Sequence, residues 1–259
     1  MPQLNKYKQV FKYAFLQTNS KISNYILYQL SYVLEFFVTI YIWKVNNQNN
    51  SNIITYLFFG YIIQRLVFTN VLNFLSVQIF SGKIVNLLLT PVSFFKYLLI
   101  REMGARLSIN IMSGGIMLLF LPLFITNLKP PSISFIVLLP IMLTLGFIID
   151  LLISIIFASL VFWLKDGFDS IYNFFTLGTK VLTGIYIPFN YFMPELSRFL
   201  ILNPYAFLVY HPMQIFLGKY NFNQQLLVIL GACIWILVLY YLAKFVFKKG
   251  LRQFESNGL

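Results

Sequence analysis

The sequence is poor in the residues that soluble chemistry uses. It holds one cysteine, Cys233, and one histidine, His211. That count excludes an intramolecular disulfide, a cysteine-cluster metal site and a multi-histidine metal site. Cys233 lies in an apolar run and reads as a buried structural thiol. The acids number seven in 259 residues and are scattered along the chain, which leaves general acid–base chemistry without a cluster to work from. A phosphate-binding loop is missing too: Gly82-Lys83 is followed by Ile84, and Val77 stands where the first glycine would be needed. Neither a His-Glu-x-x-His pair nor a Gly-x-Ser-x-Gly elbow occurs. These absences argue against an enzyme and against a resident metal or cofactor.

Charge is equally scarce. Only 10% of the residues are charged and 59% are hydrophobic, whereas an ordinary soluble domain carries about 25% charged residues. The apolar residues arrive in runs that reach the ~20 residues needed to cross a bilayer. An all-α, polytopic membrane protein follows, with lipid as its first partner. The net charge of +12 does not point to nucleic acid, because the bases sit beside and between apolar runs, where they set orientation.

Residues 3–20 read as an interfacial helix, with Leu4, Tyr7, Phe11, Ala14 and Phe15 at helical spacing and Lys6, Lys8 and Lys12 interleaved. Those lysines precede no short apolar region with a small-residue cleavage site, so the first span is expected to remain. Six spans are expected, at 24–44, 53–78, 106–126, 133–164, 170–187 and 224–247. A polar turn separates the first two at 46–52. The stretch from Ser81 to Arg106, with Lys83, Lys96 and Arg101, reads as a cytoplasmic loop carrying a short helix. Asn127, Lys129, Pro130 and Pro131 break the chain before the fourth span, which is long enough to tilt or bend near Pro140. Lys165, Asp166 and Gly167 make the next turn. Thirteen bases then fall on the proposed inside and four on the outside. Two basic ends on one face require an even number of spans, placing both termini in the cytoplasm.

From Pro188 to Gly218 the texture changes. Pro188, Pro194, Pro204 and Pro212 cut the run into apolar pieces too short to cross alone. Two half-helices dipping in from outside fit this pattern; a cap lying on the outer leaflet is the alternative.

Four ionisable residues fall inside the spans: Glu35, Arg65, Asp150 and Lys180. Each costs ~2.5–3.5 kcal/mol when isolated at a helix centre, so each should face the bundle or a wet cavity and pair where it can. Glu35 with Arg65, and less well matched Asp150 with Lys180, are the expected pairs. They serve either as a polar surface along a substrate route or as ion pairs fixing helix register.

Several stretches in order resemble the type-2 permease subunits of ATP-binding-cassette (ABC) exporters, closest to the compact branch of roughly 260 residues. Ser81-Gly82-Lys83-Ile84 through Leu88, Leu89 and Pro91 is similar to that family's cytoplasmic loop. Ala158 through Phe162-Trp163-Leu164 with Asp166 is similar to the end of its fourth span. Gly184-Ile185-Tyr186-Ile187-Pro188, then Phe192-Met193-Pro194, Asn203-Pro204-Tyr205-Ala206 and Tyr210-His211-Pro212 resemble its outer segment, with Met193 inserted and Tyr205 in place of the commoner Phe. Trp235 and the tail from Lys249 to Gly258 complete the likeness.

The resemblance implies half of a transmembrane pathway, joined to a second copy or a similar permease in the cell membrane. It implies a separate ATPase subunit, which would hold the ATP and magnesium. Ser81, Gly82, Lys83, Ile84, Leu88 and Pro91 would form the coupling helix against that ATPase, and the segment carrying Pro188, Pro194, Pro204 and Pro212 would form the outer gate. The other reading is a self-contained secondary transporter or channel. Such proteins often carry matched interruptions in both halves, and here only the second half is visibly interrupted.

Overall fold

The computed structural model describes residues 2–19, 22–46, 51–90, 92–119, 121–124, 130–164 and 168–256. Pro91, Asn127, Lys129, the expected turn at Lys165, Asp166 and Gly167, and part of the polar turn at 46–52 lie outside them. Among the described residues there is no strand. The helices are α1 (Pro2–Asn19), α2 (Ile22–Val45), α3 (Ser51–Val67), α4 (Val71–Phe80), α5 (Ile84–Leu88), α6 (Phe94–Leu119), α7 (Leu121–Phe124), α8 (Ile133–Ser159), α9 (Phe168–Leu182), α10 (Pro194–Leu202), α11 (Tyr210–Phe216) and α12 (Phe222–Ser256). Single 3-10 turns extend α8 and flank α10.

Two sets of contacts define the ends of the bundle. At the upper end, Trp43 Nε1 donates to the Tyr186 carbonyl at 2.9 Å, Tyr56 OH to the Gly184 carbonyl at 2.9 Å, and Ser132 Oγ to the Ile215 carbonyl at 2.7 Å. At the lower end, Phe94 stacks on Phe247 with centroids 4.2 Å apart, and Phe162 meets Phe247 and Phe254 at 5.8 and 5.9 Å. Successive rods therefore alternate in direction: α2 up, α3 and α4 down, α6 up, α8 down, α9 up, α12 down. Among the described residues, three helical stretches are long and apolar enough to cross a membrane: Ser51–Phe80, Ile133–Phe162 and Phe222–Phe254.

Several boundaries differ from those expected. The second rod is broken at 68–70 between α3 and α4. The third begins at Phe94 rather than 106, so Lys96, Arg101 and Arg106 are helical instead of lying in a loop. The reason is Glu102, fully buried, which meets Arg101 at 2.6 Å and Arg106 at 3.8 Å and offsets the bases that made the stretch look like a loop. The fifth rod, α9, ends at Leu182, where the chain turns through Gly184 at φ +72°, a backbone region that favours glycine. The sixth continues past 247 to Ser256, because Phe247 and Phe254 hold it against Phe162. Cys233, expected to be buried, is exposed on the outward face of α12, beside the exposed Leu230, Ile234 and Leu237. In a membrane that face is apolar against apolar, and nothing drives it inward.

Helix α1 spans Pro2–Asn19. It turns Ala14 and Thr18 inward and leaves Lys6, Lys8 and Lys12 exposed. It packs along α6 at Gly104, where a Cβ would stand 2.5 Å from the Phe11 carbonyl oxygen. Gly104 therefore permits an approach that no larger residue allows. Replacing it with Val should push α1 off α6 at an overpacking cost of ~1–3 kcal/mol and raise the rate of tryptic cleavage at Lys6, Lys8 and Lys12. Gly178→Ala, where a Cβ meets nothing within 4 Å, should leave that rate unchanged.

Candidate functional site

The site begins with the break in the second rod. Phe68 still donates to the Gln64 carbonyl at 2.9 Å, but the next two amides leave the helical ladder. Thr69 N–H and Thr69 Oγ1 both donate to Asp150 Oδ2, at 2.6 and 2.7 Å, and Asn70 N–H donates to Glu102 Oε2 at 2.9 Å. Unpaired amides in an apolar interior cost several kcal/mol each, and a carboxylate at the start of a helix suits its dipole. Two fully buried acids, from α8 and α6, thus replace the ladder and restart the helix as α4.

The charged partners are exchanged relative to the sequence expectation. Glu35 Oε2 binds Lys180 Nζ at 2.9 Å, and Glu35 Oε1 accepts a hydrogen bond from Tyr186 OH. The Arg65 guanidinium lies over the Tyr32 ring, 5.2 Å from its centroid. Depth explains the exchange. At 1.5 Å per residue, Glu35 stands roughly 15 Å below the top of α2 and Arg65 roughly 21 Å below the top of α3. Lys180 sits near the top of the shortened α9, within reach of Glu35. Asp150 lies about 25 Å down α8, out of register with Lys180, and serves the break instead.

Beside the break is a cavity of about 320 Å³, walled by α2, α3, α4, α6 and α9. Arg65, Arg106 and Lys180 line it, together with Gln64, Asn73 and Thr176, and no acid is among its described lining residues. Sequence reasoning found Arg65 and Lys180. It missed Glu102 altogether and took Arg106 for a loop base, although the i, i+4 spacing of Glu102 and Arg106 was a legible sign of a helix.

At the lower end α4 runs into a tight turn at Ser81, with Gly82 at φ +72°, followed by Lys83 and the five-residue α5. Ile84 is fully buried and anchors this turn, whereas Lys83, Leu88 and Leu89 are exposed. The Gly-basic stretch therefore presents one anchored side and one free side.

The proline-rich segment folds into the bundle. Pro194 opens α10, Pro204 opens a 3-10 turn capped by Asn203 Oδ1, and Pro212 lies within α11; Pro188 precedes the first 3-10 turn. Trp235 Nε1 donates to the Leu202 carbonyl at 3.0 Å, and a Cβ at Gly146 would stand 3.6 Å from the Phe207 carbonyl oxygen. Both contacts lie thirteen residues from the upper ends of their rods, roughly 20 Å down. By Ile215 the chain is back beside Ser132 at the top. It descends and returns, and residues 205–216 are all buried. His211 joins the two limbs through the Ile201 carbonyl at 2.9 Å and Tyr220 OH at 3.1 Å. Interruptions thus occur in both halves of the chain, which corrects the expectation that only the second half is broken. They are unlike in kind: one is held by distant carboxylates, the other cut by prolines.

Substitutions at the ion pair and at the break probe this assignment. Glu35→Lys combined with Lys180→Glu should restore yield and thermal stability better than either single change, which leaves like charges facing each other. Asp150→Leu strands the Thr69 amide and hydroxyl and should lower the melting temperature, at ~1–3 kcal/mol per unsatisfied group. Asp150→Asn, which keeps an acceptor, should lower it less.

Comparison with known families gives one assignment. The family described as "ABC-2 family transporter protein" matches residues 22–258. None of the curated proteins compared matches the chain. The family match spans nearly the whole bundle, from α2 to the end of α12, and takes in the broken rod, the cavity and the segment that descends and returns. This chain belongs to the ABC-2 family of membrane transporters, as a type-2 ABC permease of about 260 residues.

Proposed function

We propose that the chain is the permease subunit of an ATP-driven exporter in the cell membrane. Its six rods cross the bilayer, both termini lie in the cytoplasm, and a separate ATPase subunit binds ATP and magnesium. The single observation that carries this reading is helix α4. Its first residues, with Leu72 and Asn73, line the cavity, and its last residue runs directly into the Gly82 turn and the exposed side of α5. A rod of ten residues, about 15 Å long, therefore links a surface suited to docking with the wall of the cavity lined by Arg65, Arg106 and Lys180. Displacement of α5 by a closing ATPase would reach the cavity through α4, and the break at 68–70 would absorb the movement without disturbing α3.

A partner permease is favoured by the Glu35–Lys180 pair. Its side chains retain 23% and 20% exposure at mid-depth of the bundle. Lys180 lines the cavity, and a cavity bearing ionic groups is costly wherever it opens to lipid. A second copy or a similar permease covering α2 and α9 would shield the pair and complete the pathway. The returning segment 188–218 closes the upper end as an outer gate, and α1 lies along the lower membrane surface with its lysines in water. Hydrolysis belongs to the partner chain. A self-contained transporter would need no docking surface, and family membership weighs against it.

Co-expression with the cognate ATPase should yield a complex that survives detergent purification. Lys83→Glu, Leu88→Glu and Leu89→Glu should weaken recovery of the ATPase while leaving the permease folded. Ile84→Ala should act differently, lowering permease yield because Ile84 is buried. Wild-type recovery with all three glutamate variants would remove the docking assignment.

A further inference from the structure

We infer that the cavity beside the break is an oxyanion subsite, taking a phosphate-type group of the cargo. The inference rests on the permease reading for the role of that ligand, but not for its chemistry.

Three observations meet at one place. Arg65, Arg106 and Lys180 converge on the cavity from three different rods, α3, α6 and α9, with no carboxylate among its described lining residues. Arg106 is 8% exposed, and its Nε has no hydrogen-bond partner. The nearest acid, Glu102, stands 3.8 Å from that nitrogen, beyond hydrogen-bonding range. Glu102 is already engaged by Arg101 and by the Asn70 amide. A buried guanidinium N–H left without an acceptor is costly, and a guanidinium fork fits the oxygens of a phosphate or carboxylate.

The third observation is Gln64, 2% exposed, whose Oε1 is also without a partner while the residue lines the same cavity. An acceptor beside cationic donors suits a protonated oxyanion or a neighbouring hydroxyl on the ligand. Three acids stand behind the cavity wall, and Arg106 lies within electrostatic reach of two of them, Glu102 and Asp150. Glu35 and Lys180 neutralise each other, with Tyr186 OH on the second Glu35 oxygen, and Asp150 turns Oδ2 to the Thr69 amide and hydroxyl while its Oδ1 has no hydrogen-bond partner, so Arg65 and Arg106 carry the positive charge of the site. A volume of about 320 Å³ admits a phosphate headgroup with part of what carries it.

The test uses the purified full chain in neutral nanodiscs, without ATPase, carrying Cys233→Ser and Thr176→Cys. The new thiol is titrated with anionic sulfonatoethyl and cationic trimethylammonioethyl methanethiosulfonates. A thiol placed by Gly178→Cys on the same helix, outside the cavity, is the reference. The anionic-to-cationic rate ratio at position 176 should exceed the reference by about tenfold, the scale of one charge-assisted interaction. Arg106→Gln should abolish that excess, whereas Arg106→Lys and the surface change Lys96→Gln should retain it.

Phosphate probes should also slow labelling, and decyltrimethylammonium should not. Protection by inorganic phosphate assigns the site to a free anion; protection by decyl phosphate alone assigns it to a lipid-like cargo. A ratio equal to the reference, or equal protection by the cationic amphiphile, overturns the inference. If Arg106→Gln does not fold, phosphate protection in the Thr176→Cys protein decides alone. Because no ATPase is present, loss of the docking interaction and loss of the anion site are separately visible.

Discussion

The constraint on which this architecture depends is that polar groups buried in an apolar bundle must find partners within the protein. Water cannot satisfy them, and lipid offers neither donors nor acceptors. Thr69 and Asn70 leave the helical ladder only because Asp150 and Glu102 arrive from other rods to receive their amides. Glu102 is tolerated with no exposure because Arg101 and Arg106 flank it. Each compensation ties one rod to another, so the polar groups that look like liabilities in the sequence fix how the rods stand against each other.

The same constraint locates the parts able to move. A continuous helix through 68–70 would be stiff, with its amides bonded within the rod. Bonds borrowed from α6 and α8 can exchange without unwinding either neighbour, which makes the junction of α3 and α4 a natural hinge. Helix α4 is short, straightforwardly helical and attached at its lower end to a glycine turn whose φ of +72° a larger residue would strain. Cavity, hinge, rod and turn follow one another within about twenty residues of chain. The cavity and the lower turn are therefore linked through a single short stretch of chain.

At the upper end a different solution applies. The segment from Pro188 to Gly218 carries prolines at or near the starts of short helices, and it is bounded by Gly184 at φ +72° just before it and Gly218 at φ +66° at its end. Its carbonyls and amides are satisfied by Asn203, His211, Trp235 and Ser132. Irregular backbone at depth is tolerated where protein surrounds it, and here α3, α8 and α12 do so. The buried run from 205 to 216 is held by this enclosure, while α10 keeps Leu196, Phe199 and Leu202 on the outside.

Much of this was legible in the chain. Apolar runs and scarce charge point to a helical membrane protein. The Gly82-Lys83 turn and the four prolines of the returning segment announced themselves locally, because glycine and proline act through their own backbone. The break at Phe68-Thr69-Asn70 did not, since neither glycine nor proline marks it and its cause lies eighty residues away in Asp150. Likewise the sequence determined that Glu35, Arg65, Asp150 and Lys180 would need partners or a wet cavity, but not which partner each would take. That choice depends on the relative depth of residues on different rods, a quantity of packing to within a few ångströms, and only the tertiary structure decides it.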